Sequence, residues 1–333
     1  MAAEMAEQPR VLTDLVTRRE AIVSSVRAVL PQPLRAIVLI ARGSSDHAAV
    51  YGRYALEAAC GVPVALAAPS LHTLYRVPAD YAGCLAVAMS QSGRTPEIVT
   101  VLDRLQEHGA TGVAVTNDTA SPLAEVADVV VAMHAGEERA VPATKTFTAQ
   151  LAVLAFLAEA VGQPPWRAEE WASVPAAVQE VLDDASVAED AVDRIGGAPG
   201  LVVVGRGYLY ASALETALKL KETASVLAHG YSAADLRHGP IAVVERDFPA
   251  LVLATPGPTW DDLQDLVGLL RERGARVVRV APGGDLTLPA TPSEPLVPLP
   301  VAVRGQQLAR SLALRRGFDP DSPEGLRKIT PTR

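Results

Sequence analysis

Short apolar runs separated by polar turns dominate the first half of the chain, and helical spacing of apolar residues follows most of them. The runs predict strands at 36–40, 85–89, 112–116 and 129–133. An amphipathic helix over 10–30 precedes them and ends at Pro31. Strands that are apolar on both faces and alternate with helices are typical of a parallel sheet covered on both sides. The pattern therefore predicts an α/β fold for this half.

The same pattern begins again near residue 200. It predicts strands at 201–204, 250–254 and 277–280, helices over 210–227 and 303–316, and an irregular segment over 281–300. The turn within LIARGSS, near residue 40, resembles the turn within VVVGRGY, near residue 205. We therefore predict an internal duplication of two tandem doubly wound, flavodoxin-like parallel sheets. The predicted divisions are an N-terminal helix (1–34), a first sheet domain (35–165), a linking helical segment (166–199), a second sheet domain (200–316) and a C-terminal tail (317–333).

The amino-acid composition and net charge of the chain exclude several classes of function. With 49% apolar and 20% charged residues among 333, the chain has material for two buried cores. Its net charge of −8 argues against nucleic-acid partners, because a phosphate backbone favours clustered Lys and Arg. Two cysteines suit a reducing compartment, and the start MAAEMAEQPR lacks the apolar core of a signal peptide. No apolar run approaches the ~18 residues of a membrane span, so we expect a cytoplasmic protein without a membrane partner.

Two of the predicted turns are dense in hydroxyl groups. Ser44 and Ser45 follow the first strand, and Ser90, Gln91, Ser92 and Thr95 follow the second. Ligands of open parallel sheets bind where the strands end, and the helix that follows each turn offers unpaired amides to an anion. Helix capping explains any one hydroxyl, but not five hydroxyls and a glutamine in two turns. The turns predict a site for a phosphate monoester. They lack the Walker and dinucleotide patterns, so no nucleotide cofactor is expected.

A second cluster carries groups suited to proton transfer. Lys219 and Glu222 are spaced to share one face of a helix, and His238 follows in Arg237-His238-Gly239-Pro240. A glutamate beside a lysine can serve as a base and a nearby histidine as an acid. By spacing alone, a solvated ion pair and an ordinary loop histidine are the default interpretation of the cluster. The other histidines are scattered without metal-ligand spacing, and no metal is predicted.

Three segments of the sequence resemble the sugar-isomerase (SIS) family. They are SQSGRTPE at 90–97, ATKTFTAQ at 143–150 and ALETALKLKETASVLAHGYSAADLRHGP at 213–240. The pattern is most similar to the isomerase half of the glucosamine-6-phosphate synthases, which contains two SIS domains, and the resemblance extends from Ala36 to Lys328. The last of the three segments is the most specific, since serine turns mark any SIS domain.

The resemblance implies a role for each candidate residue. It implies that Ser45, Ser90, Gln91, Ser92 and Thr95 bind the sugar phosphate and that Glu222 moves a proton between C1 and C2. It places Lys219 beside the sugar and gives His238 the ring-opening step, in the active site of a neighbouring subunit of a homodimer. The ending Pro323-Glu324-Gly325-Leu326-Arg327-Lys328 resembles the family's P-x-x-L-x-K, which implies that Lys328 is the active-site lysine that forms an imine with the open-chain ketose. No cofactor is implied.

The sequence also departs from the synthase pattern. It starts Met1-Ala2-Ala3, where the synthases carry a glutaminase domain with a nucleophilic cysteine, so we expect no glutamine hydrolysis. Ala143, after Pro142, replaces a serine near the sugar, and Arg94 replaces an acidic residue. Both changes lie in loops that shape substrate choice.

Several functions remain open at this stage. The first is deamination of glucosamine 6-phosphate to fructose 6-phosphate and ammonia. The alternatives are elimination of the C3 hydroxyl of N-acetylglucosamine 6-phosphate, deglycation of a fructosamine 6-phosphate, and a sugar-phosphate sensor without catalysis. The presence of Glu222, His238 and Lys328 favours an enzyme, because a sensor needs the phosphate turns but no base or acid.

Overall fold

The computed structural model describes residues 1–289 and 293–328. Its strands are β1 (Ala36–Ile40), β2 (Val64–Leu66), β3 (Cys84–Ser90), β4 (Thr111–Thr116), β5 (Val129–Ala132), β6 (Gly200–Gly205), β7 (Leu227–Ser232), β8 (Pro249–Leu253), β9 (Arg276–Ala281) and β10 (Leu286–Thr287). Its helices are α1 (Ala2–Ala6), α2 (Gln8–Arg27), α3 (Ser44–Cys60), α4 (Pro69–Thr73), α5 (Pro96–Glu107), α6 (Pro122–Val126), α7 (Lys145–Val161), α8 (Val174–Asp183), α9 (Ser186–Ile195), α10 (Leu209–Ala224), α11 (Ala233–Arg237), α12 (Trp260–Glu272) and α13 (Pro298–Arg315). Short 3₁₀ turns cover Ala168–Ser173, Pro240–Val243 and Glu294–Leu296.

The strands form two parallel five-stranded sheets with the same internal order. The first sheet runs β2-β1-β3-β4-β5, and the second runs β7-β6-β8-β9-β10 when it is read from its other edge. Both are the doubly wound order, in which the second strand is added on one side of the first strand and the remaining strands are added on the other side. The predicted α/β fold class, with two tandem flavodoxin-like sheets, is confirmed.

The chain divides into two compact units, each built around one sheet. The first-sheet unit comprises 11–138, 145–167 and, among the described residues, 327–328. The second-sheet unit comprises 1–10, 139–144 and 168–326. The two units therefore interleave along the sequence, and the end of the predicted tail, 329–333, lies outside the described residues.

Alternation along the strands builds a core on each face of both sheets. In the first sheet, Val38, Ile40, Ala86 and Ala88 pack against α5 and α6. In the second, the odd-numbered positions of β6 and β8 pack against α9, α10 and α13, and the even-numbered ones pack against α11 and α12. Successive side chains of a strand point to opposite faces, so a strand between two helical layers is apolar throughout.

Helices α10 and α13 approach closely at Gly305. A Cβ at this position would lie 2.2 Å from the Thr216 hydroxyl oxygen, so only glycine allows this contact between the two helices. The contact fixes the position of α10, which carries Lys219 and Glu222.

Several element boundaries differ from the sequence prediction. The strands β2, β7 and β10 were not predicted, and each lies at an edge of its sheet, where the strand is short or only partly buried. The predicted helix over 210–227 ends at Ala224, and the segment predicted as irregular contains β10 and the first turn of α13. Pro298 misled the prediction, because proline is tolerated in the first turn of a helix, where its missing N–H is not needed. Among the described residues, no helix is long and apolar enough to cross a membrane.

Candidate active site

The first serine turn joins β1 to α3. Gly43 takes the N-cap position with φ 59°, so Ser44 and Ser45 are the first two residues of the helix. Ser45 is buried, and its hydroxyl accepts a hydrogen bond of 2.8 Å from the Nε2 of Gln150, a buried residue of α7. The two serines therefore stand at a helix N-terminus without serving as its cap.

The second serine turn joins β3 to α5. The Ser90 hydroxyl accepts from the Gly93 amide at 3.1 Å, and the Ser92 hydroxyl accepts from the Arg94 amide at 3.2 Å. Thr95 is the N-cap residue of α5, yet its side chain makes no capping bond. Gln91 is half-buried between them. Helix capping thus accounts for none of these side chains, although two hydroxyls help to shape the turn.

Gly93 allows the sharp bend of this turn. Its φ is 62°, and a Cβ here would lie 2.0 Å from the Ser121 hydroxyl oxygen. A side chain would meet both a strained backbone and a steric clash. The turn is therefore held in one shape, with its amides and hydroxyls at the carboxyl end of the sheet.

Ion pairs join neighbouring turns at this edge. Arg42 makes two hydrogen bonds to the buried Glu97, of 2.8 and 3.0 Å, which connect the β1 turn to α5. The bond to Glu97 raises the pKa of the Arg42 guanidinium. Arg94 donates to Asp118 at 2.8 Å and, together with the Ala120 amide, lowers the pKa of that carboxyl group. The arginine that departs from the family pattern therefore has a carboxylate partner in the next turn.

Lys328 binds the loop that follows β5. Its Nζ donates to the Oε2 of Glu138 at 2.7 Å, and the Glu138 side chain is fully buried. The same carboxylate accepts from the amide and the hydroxyl of Thr146, in the first turn of α7. Lys328 thus lies at the carboxyl edge of the first sheet, the edge that also carries both serine turns.

The candidate base lies on α10 of the second-sheet unit. The Nζ of Lys219 is 2.5 Å from Glu222 and 3.3 Å from Glu215. Lys219 and Glu215 are buried, whereas the Glu222 side chain is 23% exposed. Burial alone would lower the pKa of Lys219, but the attraction of the two carboxylates overcomes it and raises that pKa. The cluster is a buried cation held between two carboxylates, one of which reaches solvent. It is not the fully solvated pair that the spacing also allowed.

His238 follows α11 directly, as its C-cap residue, and is exposed. Its backbone amide donates to Asp235, and within the described residues no hydrogen bond or ion pair joins its imidazole to Glu222. The sequence indicated a loop around His238, but the structure has regular elements there: β7, α11 and a 3₁₀ turn. Across the described ranges, no three His, Cys, Asp or Glu side chains are grouped to hold a metal ion.

Sequence analysis missed three residues of these clusters. Glu215 is four residues before Lys219, a spacing that marks helical ion pairs and could have revealed it. Gln150 lies within a motif already noted for its resemblance. Glu138 gave no signal, because Glu137-Glu138-Arg139 is typical of a solvated charged loop.

Comparison with known proteins identifies the family. The SIS domain pattern matches residues 33–160 and 197–285, one region in each sheet. The chain belongs to the SIS domain family. The two regions explain the duplicated strand order and confirm the resemblance noted from the sequence.

Relatives of this SIS protein include longer chains. A glutamine–fructose-6-phosphate aminotransferase (isomerizing) from Zymomonas mobilis is 33% identical over 98% of this chain but over only 58% of its own length. The chain thus spans little more than half of the curated relatives it matches.

Solved structures with the same fold match almost end to end. A Silicibacter pomeroyi DSS-3 protein provisionally named as a phosphosugar isomerase is 33% identical, with a TM-score of 0.84 over 96% of this chain and 99% of that one. The C-terminal domain of glucosamine-fructose-6-phosphate aminotransferase from Francisella tularensis is 24% identical, with a TM-score of 0.87 over 96% and 97%. Both carry the fold, and the first also supports the family.

Proposed function

We propose that this SIS protein is an aldose–ketose type phosphosugar enzyme that converts glucosamine 6-phosphate and water to fructose 6-phosphate and ammonia. The observation that carries the proposal is the Glu222 carboxylate, held 2.5 Å from the buried Lys219 and partly open to solvent. A fixed and accessible carboxylate is the group that moves a proton between adjacent carbon atoms.

The two serine turns are proposed to bind the phosphate group. Six residues lie in the first turn of α3 or between the end of β3 and the start of α5, where unpaired helix amides and the helix dipole favour an anion: Ser44, Ser45, Ser90, Gln91, Ser92 and Thr95. The Gln150 bond to Ser45 and the backbone bonds to Ser90 and Ser92 fix the orientation of three hydroxyls before a ligand arrives. Preorganised donors of this kind do not need to be ordered on binding.

The chemistry then needs a base, an acid and an amine. His238 assists ring opening to the C1 aldehyde, and Glu222 removes the C2 proton and returns it to C1, which leaves an imine at C2. Water adds to that imine and ammonia leaves. Lys328 provides an alternative route: its amine adds to the C2 imine and displaces ammonia, and water then hydrolyses the imine formed with the lysine. Water is the only co-reactant in this direction.

We further propose a homodimer in which His238 serves the partner's site. The exposure of His238 and its lack of a bond to Glu222 among the described residues support this arrangement. So does the nearby surface: β7 is an edge strand whose first residue, Leu227, is 68% exposed, and Val243, in the 3₁₀ turn that follows His238, is 55% exposed. Exposed apolar side chains on an edge strand are typical of a surface that another chain covers.

The deciding experiment measures exchange of the C2 proton with deuterium from solvent. Wild-type protein is incubated with glucosamine 6-phosphate, N-acetylglucosamine 6-phosphate and a fructosamine 6-phosphate, and ammonia, ultraviolet absorbance and free amine are followed. Exchange with ammonia release from the first sugar supports the proposal. A new ultraviolet band from the acetylated sugar without ammonia indicates elimination, release of an amine from the third indicates deglycation, and binding without exchange indicates a sensor.

Glu222→Gln is the matched test of the base. It should lower exchange by about 10²–10⁴-fold while sugar phosphate still binds, because only the proton acceptor is lost. Lys221→Gln changes the exposed neighbour on the same helix and should retain exchange. Full exchange in the Glu222 variant would overturn the assignment.

A further inference from the structure

Lysine is scarce in this chain. Of 30 basic residues only four are lysines, at 145, 219, 221 and 328, and all other cationic side chains are arginine. An arginine differs from a lysine in shape and in chemistry, so the two are not interchangeable where an amine must react or a compact cation must fit. Lys328 is one of these four, and its partner Glu138 has no role in the function described so far.

Glu138 is also held by Thr146. Its Oε1 accepts from the Thr146 amide at 3.2 Å, and its Oε2 accepts from the Thr146 hydroxyl at 2.7 Å. The amide belongs to the first turn of α7, where the helix dipole stabilises a carboxylate. The same Oε2 receives the Lys328 ammonium at 2.7 Å. One oxygen of a buried, oriented carboxylate is therefore aimed at the lysine.

This bond joins residues that are 190 positions apart. It connects the end of the chain to the loop after β5, at the carboxyl edge of the first sheet. We propose that Glu138 is a positioning residue that anchors the C-terminal tail through Lys328 and keeps its amine at this edge. The inference deepens the proposed function, because it rests on Lys328 acting on the sugar.

Chemical labelling of lysine tests the anchor without any substrate. Full-length protein is exposed to a short pulse of an amine-acetylating reagent, and mass spectrometry measures acetylation at each of the four lysines. Exposed Lys221 is the internal reference, and the buried Lys145 and Lys219 report on unfolding, since they react only if the protein opens. The measured quantity is the ratio of Lys328 to Lys221 acetylation.

Glu138→Gln should raise this ratio about tenfold, as expected for replacing a charge-assisted hydrogen bond by a neutral one of the same shape. Glu137→Gln, at the exposed neighbouring position, should leave the ratio unchanged. Thr146→Val removes one donor to the oxygen that binds Lys328 and should raise the ratio by a smaller factor. An unchanged ratio in Glu138→Gln, with Lys145 and Lys219 still protected, would overturn the inference.

Kinetics separates the anchor from the proposed reaction. A positioning role predicts that the factor by which Glu138→Gln lowers kcat for ammonia release is at least ten times the factor by which it changes KM, since the phosphate turns are intact. If no sugar phosphate is turned over but the ratio rises, the proposed function fails and the anchor stands. If sugars are turned over and both the ratio and kcat match the wild-type values, the anchor fails and the proposed function stands.

Discussion

Replacing Lys219 with methionine tests the buried charge cluster on α10. The ammonium is 1% exposed and Glu215 is 2% exposed, with 3.3 Å between their charged atoms. Coulomb's law at an effective dielectric constant of about 20 gives roughly 5 kcal/mol for unit charges at that separation. Methionine preserves most of the side-chain volume, so the change removes the charge and leaves a buried carboxylate without this cation.

We expect Lys219→Met to lower the free energy of unfolding by about 3–5 kcal/mol, the range found when one partner of a buried ion pair is removed. Lys221→Met, at an exposed position on the same helix, should stay within about 0.5 kcal/mol of the wild type. Urea denaturation followed by circular dichroism measures both, and hydrogen exchange of the peptide 209–224 reports on α10 directly.

The double variant Lys219→Met/Glu215→Gln identifies the cause. If the lost stability comes from an unbalanced buried carboxylate, neutralising Glu215 should restore at least half of it. Because the pKa of Lys219 is raised in the folded protein, its stabilisation is present below the unfolded lysine value of about 10.4 and is lost only as pH rises through the folded value. The deficit should therefore be equal at pH 6 and pH 8. A loss below about 1 kcal/mol, or a double variant as unstable as the single one, would refute the reasoning.

Three further predictions concern other parts of the molecule. Gly93→Ala should lower the free energy of unfolding by about 1–3 kcal/mol and abolish phosphate binding by calorimetry, whereas Gly61→Ala, also at positive φ but facing open space, should still bind. Burial raises the pKa of Glu294, so the folded protein holds this proton more tightly than the unfolded chain does. The free energy of unfolding should therefore fall as pH rises from about 4.3, the unfolded pKa, through the pKa of the folded state. Glu294→Gln should weaken this dependence on pH when the free energy of unfolding is measured by urea denaturation. Mixing Glu222→Gln with His238→Ala under subunit exchange should restore about a quarter of wild-type activity, because half of the dimers are hybrids with one intact site; proven hybrids without activity would place both residues in one subunit.

Much of the fold could be predicted from local pattern. Continuous apolar runs mark the central strands β1, β3, β4, β6, β8 and β9, because both faces of a central strand are covered. The edge strands β2, β7 and β10 could not be found in this way, since one side of each lacks a partner strand and its residues are mixed. The edge strand β5 was predicted because its sequence is a continuous apolar run. Pro298 likewise reads as a helix breaker when only its neighbours in sequence are known.

In the candidate site too, local features could be predicted from the sequence and contacts between distant segments could not. By itself the sequence determined the hydroxyl-rich turns and the Lys219–Glu222 pair, because a turn and a helical i,i+3 spacing are set by residues close together in the chain. Only the tertiary structure decided that Gln150 orients Ser45 from 105 positions away and that Glu138 receives Lys328. The physical reason is burial: a charged loop is solvated unless the fold covers it, and only packing between distant segments turns Glu138 into a fixed partner for Lys328.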